Sequence, residues 1–251
     1  MKSPIPNPGE QLQFLRRKSH EWLSAIQQSS LTRVEALAAF DTMWFPSLSY
    51  GLGTTNLSHN QLNQIQKPVV NHILPAMGYN RHFPRAIVYG SRRFAGLSLK
   101  HLYSDQGIKH VLQLIKYYRA DNSVGRLMKI SIRWLRLIAG TSFCPLSNPY
   151  YNFQYIDHPW FCTTLRFLKE TKASLETDDP LQYLSRVDDS CLMEDFQLSD
   201  PTLAELVHLN RCRLYLRVLT LSDIVTDHQI RRECWTGRQP QPSLFLWPRQ
   251  A

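Results

Sequence analysis

SVGRLMKISIRWLRLIA, residues 123–139, is the stretch that decides the fold. At about 100° per residue, Arg126, Lys129, Arg133 and Arg136 fall within an arc of about 80°, and Leu127, Ile130, Trp134, Leu135, Leu137 and Ile138 fill the neighbouring arc. The pattern predicts an amphipathic helix with one face in a core and a basic stripe on the other. The same periodicity recurs on both sides of it, so the chain is read as mainly α.

Upstream, residues 10–29 predict a first helix of good helix formers carrying Arg16, Arg17 and Lys18, and residues 31–45 a second, started near Thr32 and ended by Pro46. Gly51 and Gly53 mark a turn. Ser58 is expected to cap a third helix, with Leu62, Ile65, Val69 and Ile73 on its buried face and Pro75 and Gly78 at its end. Pro68 predicts a kink or break inside it. Residues 79–104 form a Gly/Pro/Arg-rich connection with a short helical or extended piece at 84–90, and a further helix is expected near 105–119.

Downstream, residues 140–160 are rich in proline and aromatic side chains and are expected to connect two helical lobes. A helix near 159–174 should follow, then an acidic loop or short helices through 175–200. A helix near 200–218, begun by Asp200-Pro201, and a tail rich in Pro and Trp complete the chain.

Charge is segregated along this order. Residues 61–140 hold 13 Lys/Arg and 2 Asp/Glu, a net of +11, whereas residues 141–200 hold 4 and 10, a net of −6. The whole chain of 251 residues carries +9 and is 43% apolar, enough to build a core and basic enough to point to a polyanionic partner. No apolar run is long enough to cross a membrane and the first residues lack the apolar segment of a secretory signal. The expectation is an intracellular protein of cytoplasm or nucleus, not secreted and without a membrane partner.

Five cysteines about twenty residues apart, with no Cys-x-x-Cys, read as reduced thiols. His158/Cys162 and His208/Cys212 each place an imidazole and a thiol on one helix face, half of a zinc site, but ordinary packing is the simpler reading and no metal is expected. The paired aspartates in Arg186-Val-Asp188-Asp189-Ser-Cys-Leu-Met193 resemble a polymerase metal hairpin only locally. Their surroundings are acidic and solvated, and capping is the expected role. The phosphate loop, the dinucleotide glycine motif and the nucleophile elbow are all missing, so no catalytic residue and no cofactor is expected.

Arg81, Arg85, Arg92, Arg93 and Lys100, interleaved with Tyr79, Phe83, Tyr89 and Phe94, are the composition that grips a phosphate backbone while bases stack on rings. With Arg126, Lys129, Arg133 and Arg136 they form the expected nucleic-acid-binding set.

The run from Met43 to Gly107 resembles the region just downstream of the reverse transcriptase palm in retrotransposon polyproteins of non-LTR type. The resemblance is carried by Pro46, Leu48, Tyr50, Leu57, Ser58, Gln61, Leu62, Ile65, Gly78, Asn80, Arg81, Pro84, Arg85, Tyr89, Gly90, Gly96, Leu97, Gln106 and Gly107. It continues in the run from Leu209 to Leu216, in Leu221-Ser-Asp-Ile224, in Trp235-x-Gly237 and in Trp247-Pro248. It implies a basic helical thumb-like domain over 1–140, a connector over 141–160 and a mostly helical C-terminal domain over 161–251 ending in an irregular tail. It further implies contact with RNA, an RNA–DNA hybrid or DNA beside a palm on a separate polypeptide, with no polymerase site of the chain's own. The competing expectations are a protein-interaction scaffold whose basic stripe pairs with the acidic 176–200 segment or with a partner, and a metalloenzyme built from the His/Cys pairs.

Overall fold

The computed structural model describes residues 8–177, 189–226 and 229–230. Asp188, Cys234, Trp235, Gly237, Trp247, Pro248 and the expected irregular tail lie outside the described residues. The chain is mainly helical, as its periodicity predicts, and divides into two compact units, Met1–Lys116 and Tyr117–Ala251.

The first unit is built on helices α1 (Pro8–Gln27), α2 (Arg33–Ala39), α3 (Phe45–Ser49) and α4 (His59–Ala76). Thr32 caps α2 through a reciprocal pair, its hydroxyl accepting from the Glu35 amide while the Glu35 carboxylate accepts from the Thr32 amide at 2.8 Å. The helix expected to end at Pro46 continues to Ser49. A π-helical turn over Phe40–Trp44 joins α2 to α3, and Pro46 sits in the first turn of α3, where a missing N–H costs little. Phe40 and Trp44, fully buried on that turn, stack with ring centroids 4.9 Å apart. The Trp44 indole donates to Ser19 Oγ at 3.1 Å, so its polar edge is satisfied against α1.

Ser58 caps α4 as expected, and Gln61 completes a capping box with it. Leu62, Ile65, Val69 and Ile73 are buried, and so are Val70 and Leu74. Pro68 does not interrupt the helix, whose buried face runs unbroken on both sides of it. Two buried glutamines then tie the following segments down by imitating a peptide group. Gln66 donates to Lys100 O at 2.7 Å and accepts from the Leu102 amide at 2.8 Å. Gln106, on α6 (Leu102–Tyr118), accepts from the Thr55 hydroxyl at 2.8 Å and donates to Leu57 O at 3.0 Å. The Gln66 pair satisfies backbone groups where the chain enters α6, and the Gln106 pair a hydroxyl and a carbonyl just before α4.

The second unit holds α7 (Ser123–Ala139), α8 (Pro159–Thr171), α9 (Leu192–Leu198) and α10 (Leu203–Leu216), with a two-residue antiparallel pairing of β1 (Val225–Thr226) and β2 (Gln229–Ile230). Residues 141–160, expected as a connector, lie inside this unit. Leu146, Phe153, Tyr155 and Ile156 are buried, and the Tyr155 hydroxyl donates to Ala139 O at 2.7 Å. Aromatic residues that read as a linker are therefore core. α10 starts later than Asp200-Pro201 predicts, because Thr202 and Glu205 supply a capping box there.

The tie between α7 and α10 is a buried cation. Arg213 is 3% exposed; its guanidinium donates to Leu137 O at 3.0 Å, to Ile138 O at 2.7 Å and to Asn210 Oδ1 at 2.7 Å. It caps the last carbonyls of α7, where a helix dipole favours positive charge. Gly140 closes that helix at φ +69°, and a Cβ there would stand 2.6 Å from Arg213 Cζ, so the absent side chain makes room for the guanidinium.

Candidate nucleic-acid interface

Within the first unit two of the five candidate cations, Arg92 and Arg93, sit on one pinned loop. Helix α5 (Arg85–Tyr89) follows Pro84, and the chain turns back through a 3-10 turn over Arg92–Phe94. The returning strand of chain is bonded to α5 and to the residue after it: Leu97 N to Ile87 O at 2.9 Å, Ser98 N to Gly90 O at 2.8 Å and Leu99 N to Val88 O at 3.0 Å. Val88 and Leu99 anchor it in the core. Ser91 Oγ accepts from the Arg93 amide, and Ser98 Oγ from the Arg92 amide at 2.9 Å. Gly96 lies so close to Gly90 that a Cβ would come within 2.1 Å of the Gly90 carbonyl oxygen. The tip of the loop is held by backbone bonds on both sides and its side chains are left for other uses.

Those side chains are Arg92, Arg93 and Phe94, all exposed, with the Phe94 ring 80% exposed. Arg93 Cζ stands 5.9 Å from the centroid of that ring. The ring is therefore accessible to solvent at a turn held by backbone hydrogen bonds. Flanked by two guanidinium groups, it can stack on a base while the cations meet phosphates.

The other candidates differ in what they can still offer. Arg81 is exposed, and Tyr79, 37% exposed, stacks against Phe83 with centroids 5.3 Å apart. Arg85 is half-buried and donates to Asn71 Oδ1 and to Arg81 O, so it holds α5 to α4. Lys100 is exposed but engaged, 3.6 Å from the Asp41 carboxylate and 5.3 Å from the Phe45 ring centre. Tyr89 is half-buried against His101, its hydroxyl pKa pushed up by burial.

The second unit contributes α7, where the structure corrects the reading of the wheel. Arg126, Lys129 and Arg133 are exposed, with Lys129 Nζ 5.8 Å from the Tyr118 ring centre. Arg136 is 6% exposed and donates to Ser142 O, while the Ser142 amide donates to Glu194. The last turn of α7 carries Arg136 inward, where it braces the turn after the helix, so it is no part of a surface stripe. Leu127, Ile130, Trp134 and Leu137, expected in the core, are exposed instead, and the inner face is made by Gly125, Ile132, Leu135 and Ala139.

The remaining motifs are absorbed by the fold. Asp189 accepts from the Ser222 amide at 3.0 Å and its hydroxyl at 2.6 Å, which makes it a cap on the turn at 221–223. His158 caps α8, Cys162 Sγ donates to Ile156 O at 3.1 Å, and His208 Nε2 lies 3.6 Å from Cys212 Sγ one turn along α10. Among the described residues no group of three or more His, Cys, Asp or Glu is placed to hold a metal ion, no disulfide joins the cysteines, and no helix is long and apolar enough to cross a membrane. Sequence reading missed Phe94 as distinct from its aromatic neighbours; the signal was its position between Arg93 and Ala95-Gly96, a turn where an apolar ring has no inward direction. No known protein family, no curated protein and no solved structure matches the chain.

Proposed function

We propose that this chain is a nucleic-acid-contacting part of a retroelement reverse transcriptase, one that holds template or primer beside a palm carried on another polypeptide and performs no polymerisation itself. The observation that carries the contact is the pinned loop at 91–99, which presents Arg92, Arg93 and an 80% exposed Phe94 ring together. The ordered motifs from Pro46 to Gly107 carry the assignment to a retroelement, and the net of +11 over residues 61–140 supplies the long-range attraction. Among the described residues Arg81, Arg92 and Arg93 have no carboxylate within ion-pair distance, so their charge is available to a polyanion.

An exposed ring stacks only where bases are unpaired, which makes single-stranded RNA the favoured contact of this loop over duplex DNA. Phe94→Ala is expected to weaken binding of single-stranded RNA by about 5- to 150-fold, the range of one lost base stack, and to leave duplex DNA binding within about twofold. Fluorescence anisotropy with the two probes at one salt concentration measures both. Unchanged affinity for single-stranded RNA would contradict the stacking role.

A further inference from the structure

The apolar residues on the outer face of α7 have no use in the nucleic-acid reading, whose stacking ring and flanking cations are Arg92 to Phe94 in the first unit. Its inner face packs into the second unit through Ile132, Leu135 and Ala139. On the opposite face Leu127 is 63% exposed, Ile130 58%, and Trp134 and Leu137 46% each. These four recur at spacings of three and four, so they form one ridge about 15 Å long over three helical turns. Among the described residues the His158 ring meets this face edge-on at Trp134, with centroids 5.8 Å apart, and Leu127, Ile130 and Leu137 stay exposed on it; a helix that is apolar on two opposite faces is shaped for two partners.

The ridge has a charged edge on one side only. Arg126, Lys129 and Arg133, all exposed, each precede a ridge residue and line up along it, while the far edge carries the uncharged Val124, Ser131 and Ile138. That asymmetry selects the occupant. An anionic lipid surface is planar and favours cations on both flanks of an apolar stripe. A second copy laid antiparallel would set these three cations against three more. A helix with its own apolar ridge and carboxylates along one edge matches both the ridge spacing and the charge. We propose that the outer face of α7 is a docking surface for an acidic amphipathic helix of a partner protein.

Two synthetic 18-residue helical peptides with the same leucine ridge, one edged with Glu and one with Lys, test this against the full chain by titration calorimetry. The Glu peptide is expected to bind at least tenfold more tightly than the Lys peptide. Ile130→Ser with Leu137→Ser, both at exposed positions and expected to leave the circular dichroism spectrum unchanged, should weaken it tenfold or more. Reversing Arg126, Lys129 and Arg133 to Glu should transfer the preference to the Lys peptide. No binding of the Glu peptide, equal binding of the two, or a reversed variant that keeps the original preference would overturn the proposal. So would sedimentation showing that the same ridge pairs two copies, or co-pelleting with phosphatidylserine vesicles that the Ile130→Ser/Leu137→Ser variant abolishes.

Discussion

Replacing Arg213 by Met is expected to destabilise the second unit by about 1 to 3 kcal/mol, the cost of leaving buried acceptors without a donor. The guanidinium is 3% exposed and supplies donors to Leu137 O, Ile138 O and Asn210 Oδ1 at once. Methionine fills much of the same volume, so the loss comes from acceptors left without a donor rather than from a cavity. Lysine does not restore the arrangement, because a single ammonium group cannot reach both α7 carbonyls and Asn210 with the fixed fork of an arginine. Urea unfolding followed by circular dichroism measures the change. A loss below about 1 kcal/mol for Arg213→Met would show that α7 and α10 are held together by apolar contacts alone.

The second large effect is acid destabilisation of the first unit through His110. Its side chain is fully buried on α6, and burial pushes its pKa down to about 4, against a smaller opposing contribution from the backbone of Thr55 and Leu52. The unfolded chain takes up this proton near pH 6.5 and the folded chain only near pH 4, so the unfolded state binds more protons in between. Stability is therefore full above pH 6.5 and falls as the pH drops toward 4. Between pH 7.5 and 5, above the range where most carboxylates titrate, the loss from His110 is about 2 kcal/mol. His101 adds in the same direction, its pKa likewise held at about 4 by burial and by the neighbouring His59, with a smaller effect because it is only half-buried. Unfolding midpoints at pH 7.5 and 5 for the wild type and His110→Gln measure it. An equal pH dependence in the two proteins would mean that His110 is charged in the folded state.

Local signals in the sequence were legible where one residue performs one local task. Ser58 predicts the start of α4 and Thr32 the start of α2, because a hydroxyl there satisfies a free amide wherever the helix lies; Gln61 and Glu35 complete the pairs in the structure. The faces of α7 were not legible. Apolar residues occupy two opposite arcs of that helix, and periodicity gives their spacing but not which arc meets a core. Arg136 sharpened the error, since a cation at stripe spacing reads as surface although its last-turn position lets it brace the Ser142 peptide. Arg213 was invisible for the related reason that its partners, two carbonyls more than seventy residues away, leave no mark in the sequence near it. The Arg/aromatic cluster at 79–100 was found by composition, but only tertiary bonds separate Phe94, held out at a turn, from Tyr89, packed on His101.

Contact between a nucleic-acid backbone and the loop bearing Arg92 and Arg93, as proposed, is read most directly from the salt dependence of binding. Affinity of the wild-type chain for single-stranded RNA across a salt series gives a slope that counts neutralised phosphates, about 0.7 for each cation engaged on a single strand. Arg92→Ala/Arg93→Ala is expected to lower the magnitude of that slope by about 1.4 while the unfolding midpoint stays at the wild-type value. A slope equal in the two proteins, or a wild-type affinity indifferent to salt, would contradict it.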